Sequence, residues 1–197
     1  MPMKLTYREF CDDKIQNTEE PELQWDTTDE LDITQKFDAR ISQGWWRNIW
    51  LREGIFITIY RHQPTECIKM IYPPELKMHY VKFCFTLSGN GQWLVTSPNG
   101  ETTLPFTVGK YLLRGNGLTL QAVADFLAVE TYSFLEIEVL PSVLRSFAAS
   151  REGELPFELQ HIVKSSPETY YLRAGDTTPM MNVVLQQILR CPYQGTI

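Results

Sequence analysis

The sequence is poor in the residues and spacings from which active sites are assembled. Its 197 residues include three histidines and four cysteines, and no HxH, HExxH or CxxC spacing sets two of them on one metal ion. GxSxG, Walker A, GxGxxG and kinase motifs are missing as well, and Ser88-Gly89-Asn90-Gly91 reads as a turn with no helix after it. No residue is nominated as catalytic or as a metal ligand, no cofactor is expected, and the reading is of a protein that is not an enzyme. Apolar runs near the roughly 20 residues that span a bilayer are absent, which gives a membrane role no support. The cysteines, Cys11, Cys67, Cys84 and Cys191, are scattered, and the amino terminus MPMKLTYREF lacks the apolar run of a signal peptide. Together these lead to the expectation of reduced thiols in the cytoplasm.

Positive charge is short too. Lys and Arg number 18 against 24 Asp and Glu, a net charge of -6, so the chain carries no electrostatic footprint for a phosphate backbone. Part of the acidic excess is local, with Glu19, Glu20, Glu22, Asp26, Asp29, Glu30 and Asp32 in close succession. Residues 1–43 are read as a polar, acidic N-terminal arm, irregular from residue 11 and pinned to the body by Trp25, Leu31, Ile33 and Phe37.

What the sequence does hold is apolar and aromatic material. Hydrophobic residues make up 43% and aromatics 12%, with five Trp, nine Tyr and ten Phe. A single chain of this length buries roughly 70% of its unfolded surface. From Gly44 the texture becomes that of strands, dense in aromatic and β-branched residues. In HYVKFCFTLSG the alternation is cleanest: Val81, Phe83, Phe85 and Leu87 share one face, and Tyr80, Lys82, Cys84 and Thr86 the other. Gly89-Asn90-Gly91 then tolerates positive φ, and GQWLVTS reads as the returning strand of a hairpin. Further strands follow around TLPFTV, KYLLR, LTLQAVA and TYSFLEIEV, at the spacing of a sandwich or small barrel. The expected fold is mainly β, an antiparallel jelly-roll-like barrel over residues 44–140.

After Val139 the period changes to that of helices, which fill residues 141–197. Pro141 opens one with Val143, Leu144, Phe147 and Ala148 on a face, and LPFELQHIVKS forms a second with Leu159, Ile162 and Val163 together. The last is marked by Asp176, Thr177 and Thr178 as N-caps and by Pro179 in its first turn. Its stripe of Met180, Met181, Val184, Leu185, Ile188 and Leu189 either covers the β domain or packs on a second copy. Met181, Val184, Leu185, Ile188 and Leu189 are the candidate dimer contacts.

Candidate ligand contacts are chosen from strand faces. Trp45, Trp46 and Trp50, with Arg47 and Arg52, join flat surface to fixed positive charge and suit an anionic aromatic ligand, although the same rings serve equally as core filler. His62 and His79, at strand ends, either face a barrel mouth or are ordinary hydrogen-bonded histidines. The full set is Trp46, Trp50, Arg52, Tyr60, His62, His79, Tyr80, Phe83, Trp93 and Arg114.

The segments GWWRNIWLREGIFITIYRHQ, HYVKFCFTLSGNGQ and MMNVVLQQILRCPYQGTI resemble the pyochelin-regulator-like branch of the AraC/XylS transcription regulators. The resemblance runs from about Gly44 to the end, and the LQQIL-x-CPYQG segment is its most specific part. It implies a cupin-like sensing domain that binds a small-molecule effector, forms a homodimer through helices, and reaches promoter DNA only through a helix-turn-helix half that this chain lacks. Siderophore-iron complexes are the effector class it implies, with other aromatic or anionic small molecules beside them. Two rivals are a stand-alone cupin-type metal enzyme, which needs histidines that converge, and an interaction module whose barrel is filled by side chains.

Overall fold

Alternation of apolar and polar residues gives strands two unlike faces, and the chain stacks such strands into two sheets. The computed structural model describes residues 2–7, 9–10, 32–74, 79–115, 120–148, 154–163 and 171–191. In chain order the strands are β1 (Met3–Thr6), β2 (Asp32–Lys36), β3 (Ser42–Arg52), β4 (Ile55–Pro64), β5 (Ile68–Tyr72), β6 (Val81–Ser88), β7 (Asn90–Ser97), β8 (Gly100–Thr107), β9 (Lys110–Arg114), β10 (Gln121–Phe126), β11 (Tyr132–Val139) and β12 (Leu172–Asp176). The helices are α1 (Pro141–Ala148), α2 (Phe157–Val163) and α3 (Pro179–Leu189). One sheet has the order β1-β5-β10-β7-β8 and the other β12-β9-β6-β11-β4-β3-β2. Among the described strands only β1, parallel to β5, departs from antiparallel pairing. This is the mainly β, jelly-roll-like fold with C-terminal helices that the sequence leads one to expect.

The facing sides of the sheets enclose one core. Ile68, Met70, Trp93, Val95, Ala124 and Phe126 come to it from the five-stranded sheet, and Cys84, Tyr132 and Phe134 from the other. Phe106 of β8 meets Trp93, Tyr132 and Phe134 edge-on at centroid distances of 5.7, 6.2 and 5.7 Å, an arrangement aromatic quadrupoles favour. The outer face of the seven-stranded sheet is apolar too, because β4, β6 and β11 carry large residues at both parities. Ile57, Ile59, Phe85 and Leu135 are covered there by Leu185 of α3, and Val81 and Leu113 by Leu155, Ile162 and Val163 around α2.

α3 starts as its sequence dictates. Thr178 caps it, the hydroxyl accepting a hydrogen bond from the Met181 amide at 3.2 Å, while the Thr178 amide donates back to Met181 Sδ at 3.4 Å. Pro179 occupies the first turn, where its missing N–H costs nothing.

Three local readings change. β6 and β7 are not a hairpin, since they belong to different sheets and β7 pairs with β10 and β8. Gly89 between them and Gly91 within β7 serve close packing: a Cβ on Gly89 would lie 2.4 Å from the Tyr132 ring and one on Gly91 2.1 Å from the Phe106 ring. β1 and β2, both within residues 1–43, are sheet members, with Arg47 of β3 ion-paired to Asp32 of β2. β12 adds a strand between α2 and α3, paired with β9. Cys11, Trp25 and Leu31 lie outside the described residues.

Candidate ligand-binding site

Side chains on the inner face of the seven-stranded sheet follow from the strand registers. One row across it takes in Trp50, Phe56, Glu138, Lys82 and Arg114. The next holds Thr58, Glu136, Cys84 and Leu112, and beyond it lie Trp46, Tyr60 and Phe134, then Gly44, His62 and Tyr132. The inner face is thus charged at one end and aromatic at the other.

Between this face and the opposing sheet lies a cavity of about 120 Å³. His62 and Phe126 close its deep end, their rings 5.5 Å apart. His62 is 5% exposed, sits among Phe10, Phe37 and Tyr132, and has Nδ1 3.2 Å from the Ser42 hydroxyl. Met70, Tyr72, Trp93 and Phe134 form the walls. At the other end stand Pro73, Leu120 and Arg114, of which Pro73 is exposed and the other two half-buried, so this end is the mouth. Tyr7 and Phe10 bring the N-terminal segment to the lining. The Tyr7 ring stacks on Tyr72 at 5.2 Å, and its hydroxyl lies 3.0 Å from that of Tyr60.

Ionic groups gather toward the mouth. Lys82 Nζ is 3.0 Å from Glu136 Oε2 and 2.5 Å from Glu138 Oε1, and the Tyr60 hydroxyl donates to Glu136 at 3.5 Å. Burial works against the charge on Lys82, and Arg114 adds repulsion, yet Glu136 and Glu138 outweigh both and raise its pKa above the ordinary lysine value. Burial likewise opposes ionisation of Glu136, but Lys82 and then Arg114 pull its pKa below the usual carboxylate range. Burial, followed by the Glu136 charge, pushes the Cys84 thiol up, so Cys84 is an inert neutral wall of the cavity. Arg114 differs from these groups: among the described residues its guanidinium has no hydrogen bond and no ion pair.

Of the ten residues chosen from the sequence, Tyr60, His62, Trp93 and Arg114 line the cavity. Trp46 packs at the margin of the same core. Trp50 shares the inner face but is 48% exposed at its end; it lies against Phe56, which meets Tyr80 edge-on at 5.4 Å. His79 is exposed, and the Arg52 side chain lies outside the described residues. Phe83 does not line the cavity, because its odd position in β6 turns it to the outer face with α3 and α2. The tryptophan-arginine group is dispersed for the same reason: Trp45 and Trp46 are neighbours in one strand and point to opposite faces. Arg47 is engaged by Asp32, whose hydrogen bond raises its pKa.

Lys82, Cys84, Glu136 and Phe134 were not chosen from the sequence, although a signal existed. In TYSFLEIEV, the tyrosine, the phenylalanine and both glutamates fall on one parity, which places carboxylates among aromatic rings on an inward face. Among the described residues no group of three His, Cys, Asp or Glu side chains is arranged to hold a metal ion, and no helix is long and apolar enough to cross a membrane.

The family described as "Regulatory protein PchR N-terminal domain" matches residues 43–197. The chain belongs to that family. This PchR-type regulator domain also shares its fold with a solved AraC-type regulator, unsaturated fatty acid-bound ToxT from Vibrio cholerae strain SCE256. The match has a TM-score of 0.51 and 12% identity, covering 71% of this chain and 47% of ToxT. A cupin domain from Bordetella pertussis Tohama I aligns with 18% identity over 47% of this chain and 88% of its own, at a TM-score of 0.33. A tryptophan-to-tyrosine variant of oxalate decarboxylase from Bacillus subtilis aligns with 13% identity over 83% and 46% of the two chains, at 0.37. No curated protein sequence matches the chain.

Proposed function

We propose that this PchR-type domain is the effector-sensing and dimerising half of an AraC-type transcription regulator, with its effector held in the cavity between the sheets. The cavity carries the reading. It has aromatic walls, a few polar groups converging at one end, and a mouth, which is the usual construction of a small-molecule site. The thiol of its lining, Cys84, is held neutral, and the domain is read as a binder and not as an enzyme. Promoter contact is assigned to a DNA-binding half outside this sequence, in keeping with a net charge of -6.

Size narrows the effector. An apolar cavity of about 150 Å³ accepts benzene, whereas drug-sized ligands occupy roughly 300–1,000 Å³. The volume of about 120 Å³ therefore favours a compact aromatic or anionic molecule over a siderophore-iron complex. A thermal-shift screen with aromatic acids, neutral aromatics, haem, free iron and ferric siderophores tests this. The midpoint should rise with the concentration of a compact aromatic, by the equivalent of about 2.7 kcal/mol at a hundred times Kd. In Cys84→Leu, which fills the cavity from one wall, that rise should disappear. A flat response to every compound overturns the reading.

Dimerisation is assigned to the exposed side of α3. Met181, Leu185, Ile188 and Leu189 are turned onto the sheet, which leaves Met180, Val183 and Val184, at 71%, 52% and 45% exposure, as the apolar residues facing outward. Sedimentation equilibrium of the chain should show a dimer, and Val183→Asp combined with Val184→Asp a monomer. An unchanged mass between the two proteins removes α3 from the contact.

A further inference from the structure

We infer that the cavity takes a compact monocarboxylate with an apolar, aromatic body, its carboxylate held at the mouth by the Arg114 guanidinium and its ring lying inward against Phe134 and the paired rings of Tyr72 and Trp93. This rests on the sensing reading above and specifies the chemistry of its ligand. Four observations lead to it.

The first is an unmatched donor set. Lys82 already has two carboxylates, Glu136 at 3.0 Å and Glu138 at 2.5 Å. Arg114, its register partner in β9, makes no hydrogen bond or ion pair among the described residues, its charge reaching Glu136 only from beyond contact, although it is half-buried and lines the cavity. A guanidinium presents five N–H donors in a planar fork, a shape that matches a carboxylate with two parallel hydrogen bonds. Leaving that fork against an apolar cavity costs free energy unless a ligand or water satisfies it.

The second is charge. Lys82 and Arg114 stand with Glu136 and Glu138, two cations and two anions, and both carboxylates are paired with Lys82. Of these four groups Arg114 is the one without an ion pair among the described residues, so a carboxylate at the mouth meets a positive group. It also relieves the repulsion that Arg114 exerts on Lys82. A cationic ligand meets repulsion there instead.

The third is position. Arg114 stands at the mouth with Pro73 and Leu120, while Phe126 and His62 close the far end. A ligand charged at one end and apolar at the other therefore enters with a single orientation, ring first. The ring meets aromatic side chains, and the charge stays where water reaches it.

The fourth is the length of the space. About 120 Å³ is at most the space of a single ring, so the carboxylate stands outside it at the mouth, and extended or polycyclic acids are excluded from complete enclosure.

Phenylacetate and its neutral isostere phenylacetamide, measured by calorimetry and thermal shift on the whole chain, separate the possibilities. Phenylacetate should bind at least ten times more tightly than phenylacetamide. Arg114→Gln should reduce phenylacetate affinity at least tenfold and leave phenylacetamide unaffected. Arg114→Lys, which keeps the charge without the fork, should recover part of the loss. Equal binding of acid and amide by the wild-type chain overturns the inference without reference to any variant, as does undiminished phenylacetate binding by a folded Arg114→Gln. In both cases the cavity remains a ligand site and the sensing reading stands. Binding of neither probe also overturns it. Failure of the sensing reading itself looks different: no compound of the wider screen, charged or neutral, raises the midpoint.

Discussion

Gly44→Ala is expected to cost more than about 4 kcal/mol of stability, the range reserved for substitutions that break a packed backbone contact. Gly44 sits in β3 opposite His62 of β4 with φ at +135°, a conformation that side chains rarely adopt. A Cβ there would stand 2.0 Å from the Arg61 carbonyl oxygen and 2.8 Å from the His62 Cα. Both are backbone atoms of the neighbouring strand, so no side-chain rotation relieves the overlap and β3 and β4 must part. Urea unfolding monitored by tryptophan fluorescence gives the comparison. Gly100→Ala is the control, since its φ of +114° is similarly unfavourable but nothing lies within 4 Å of the added carbon. It should lose only the strain of the conformation, about 1–3 kcal/mol. Equal losses in the two variants would show that conformation, and not the approach of β4, makes glycine necessary at 44.

Lys82→Met should cost about 3–5 kcal/mol, because it leaves a carboxylate behind in a buried setting without its partner. Adding Glu136→Leu, which removes the more buried of the two carboxylate partners, should restore part of that loss, since only the more exposed Glu138 is then left without its ion pair. The pH dependence follows from the shifts. Glu136 has its pKa lowered from 4.5 in the folded chain, so its contribution is complete above the unfolded value and disappears as pH falls through the lowered one. Lys82 has its pKa raised from 10.5, so its contribution is complete below that value and disappears as pH rises through the raised one. Between those limits the stability given by the pair is flat. In Lys82→Met the strongest attraction on Glu136 is gone and burial favours its protonated form. The gap between wild type and variant should therefore narrow as pH falls toward the carboxylate range. A gap that stays constant from pH 7 to pH 4 would show that lost packing, and not the stranded charge, accounts for the effect.

The fold was legible where local signals agree with tertiary context. KYLLR is β9 to the residue, and TYSFLEIEV lies on β11 with its alternation intact. Thr178 and Pro179 begin α3 as cap and first residue. Long-range partners were not legible. MKLT gives no local sign that it pairs with Ile68–Ile71, and the step from β6 to β7 looks like any glycine turn until Tyr132 and Phe106 are seen to fill the space beside it.

The site was half legible for a related reason. Aromatic and basic residues on strands could be listed, and Tyr60, His62, Trp93 and Arg114 do converge. Assigning them to faces required consistent parity. Choosing both Tyr80, which directly precedes β6, and Phe83 mixed two parities, while Lys82 and Cys84, on the same parity as Tyr80, line the cavity. The volume itself is what remains after both sheets have packed, and no periodicity encodes a remainder.

β6 is a partition one peptide thick. Lys82 and Cys84 face the cavity, and Phe83 and Phe85, alternating with them, belong to the apolar layer beneath α3. Close-packed interiors pass on a displacement and do not absorb it. A shift of β6 at the cavity wall is for that reason also a shift of the bed on which Leu185 rests, with no loop or hinge between the two chambers.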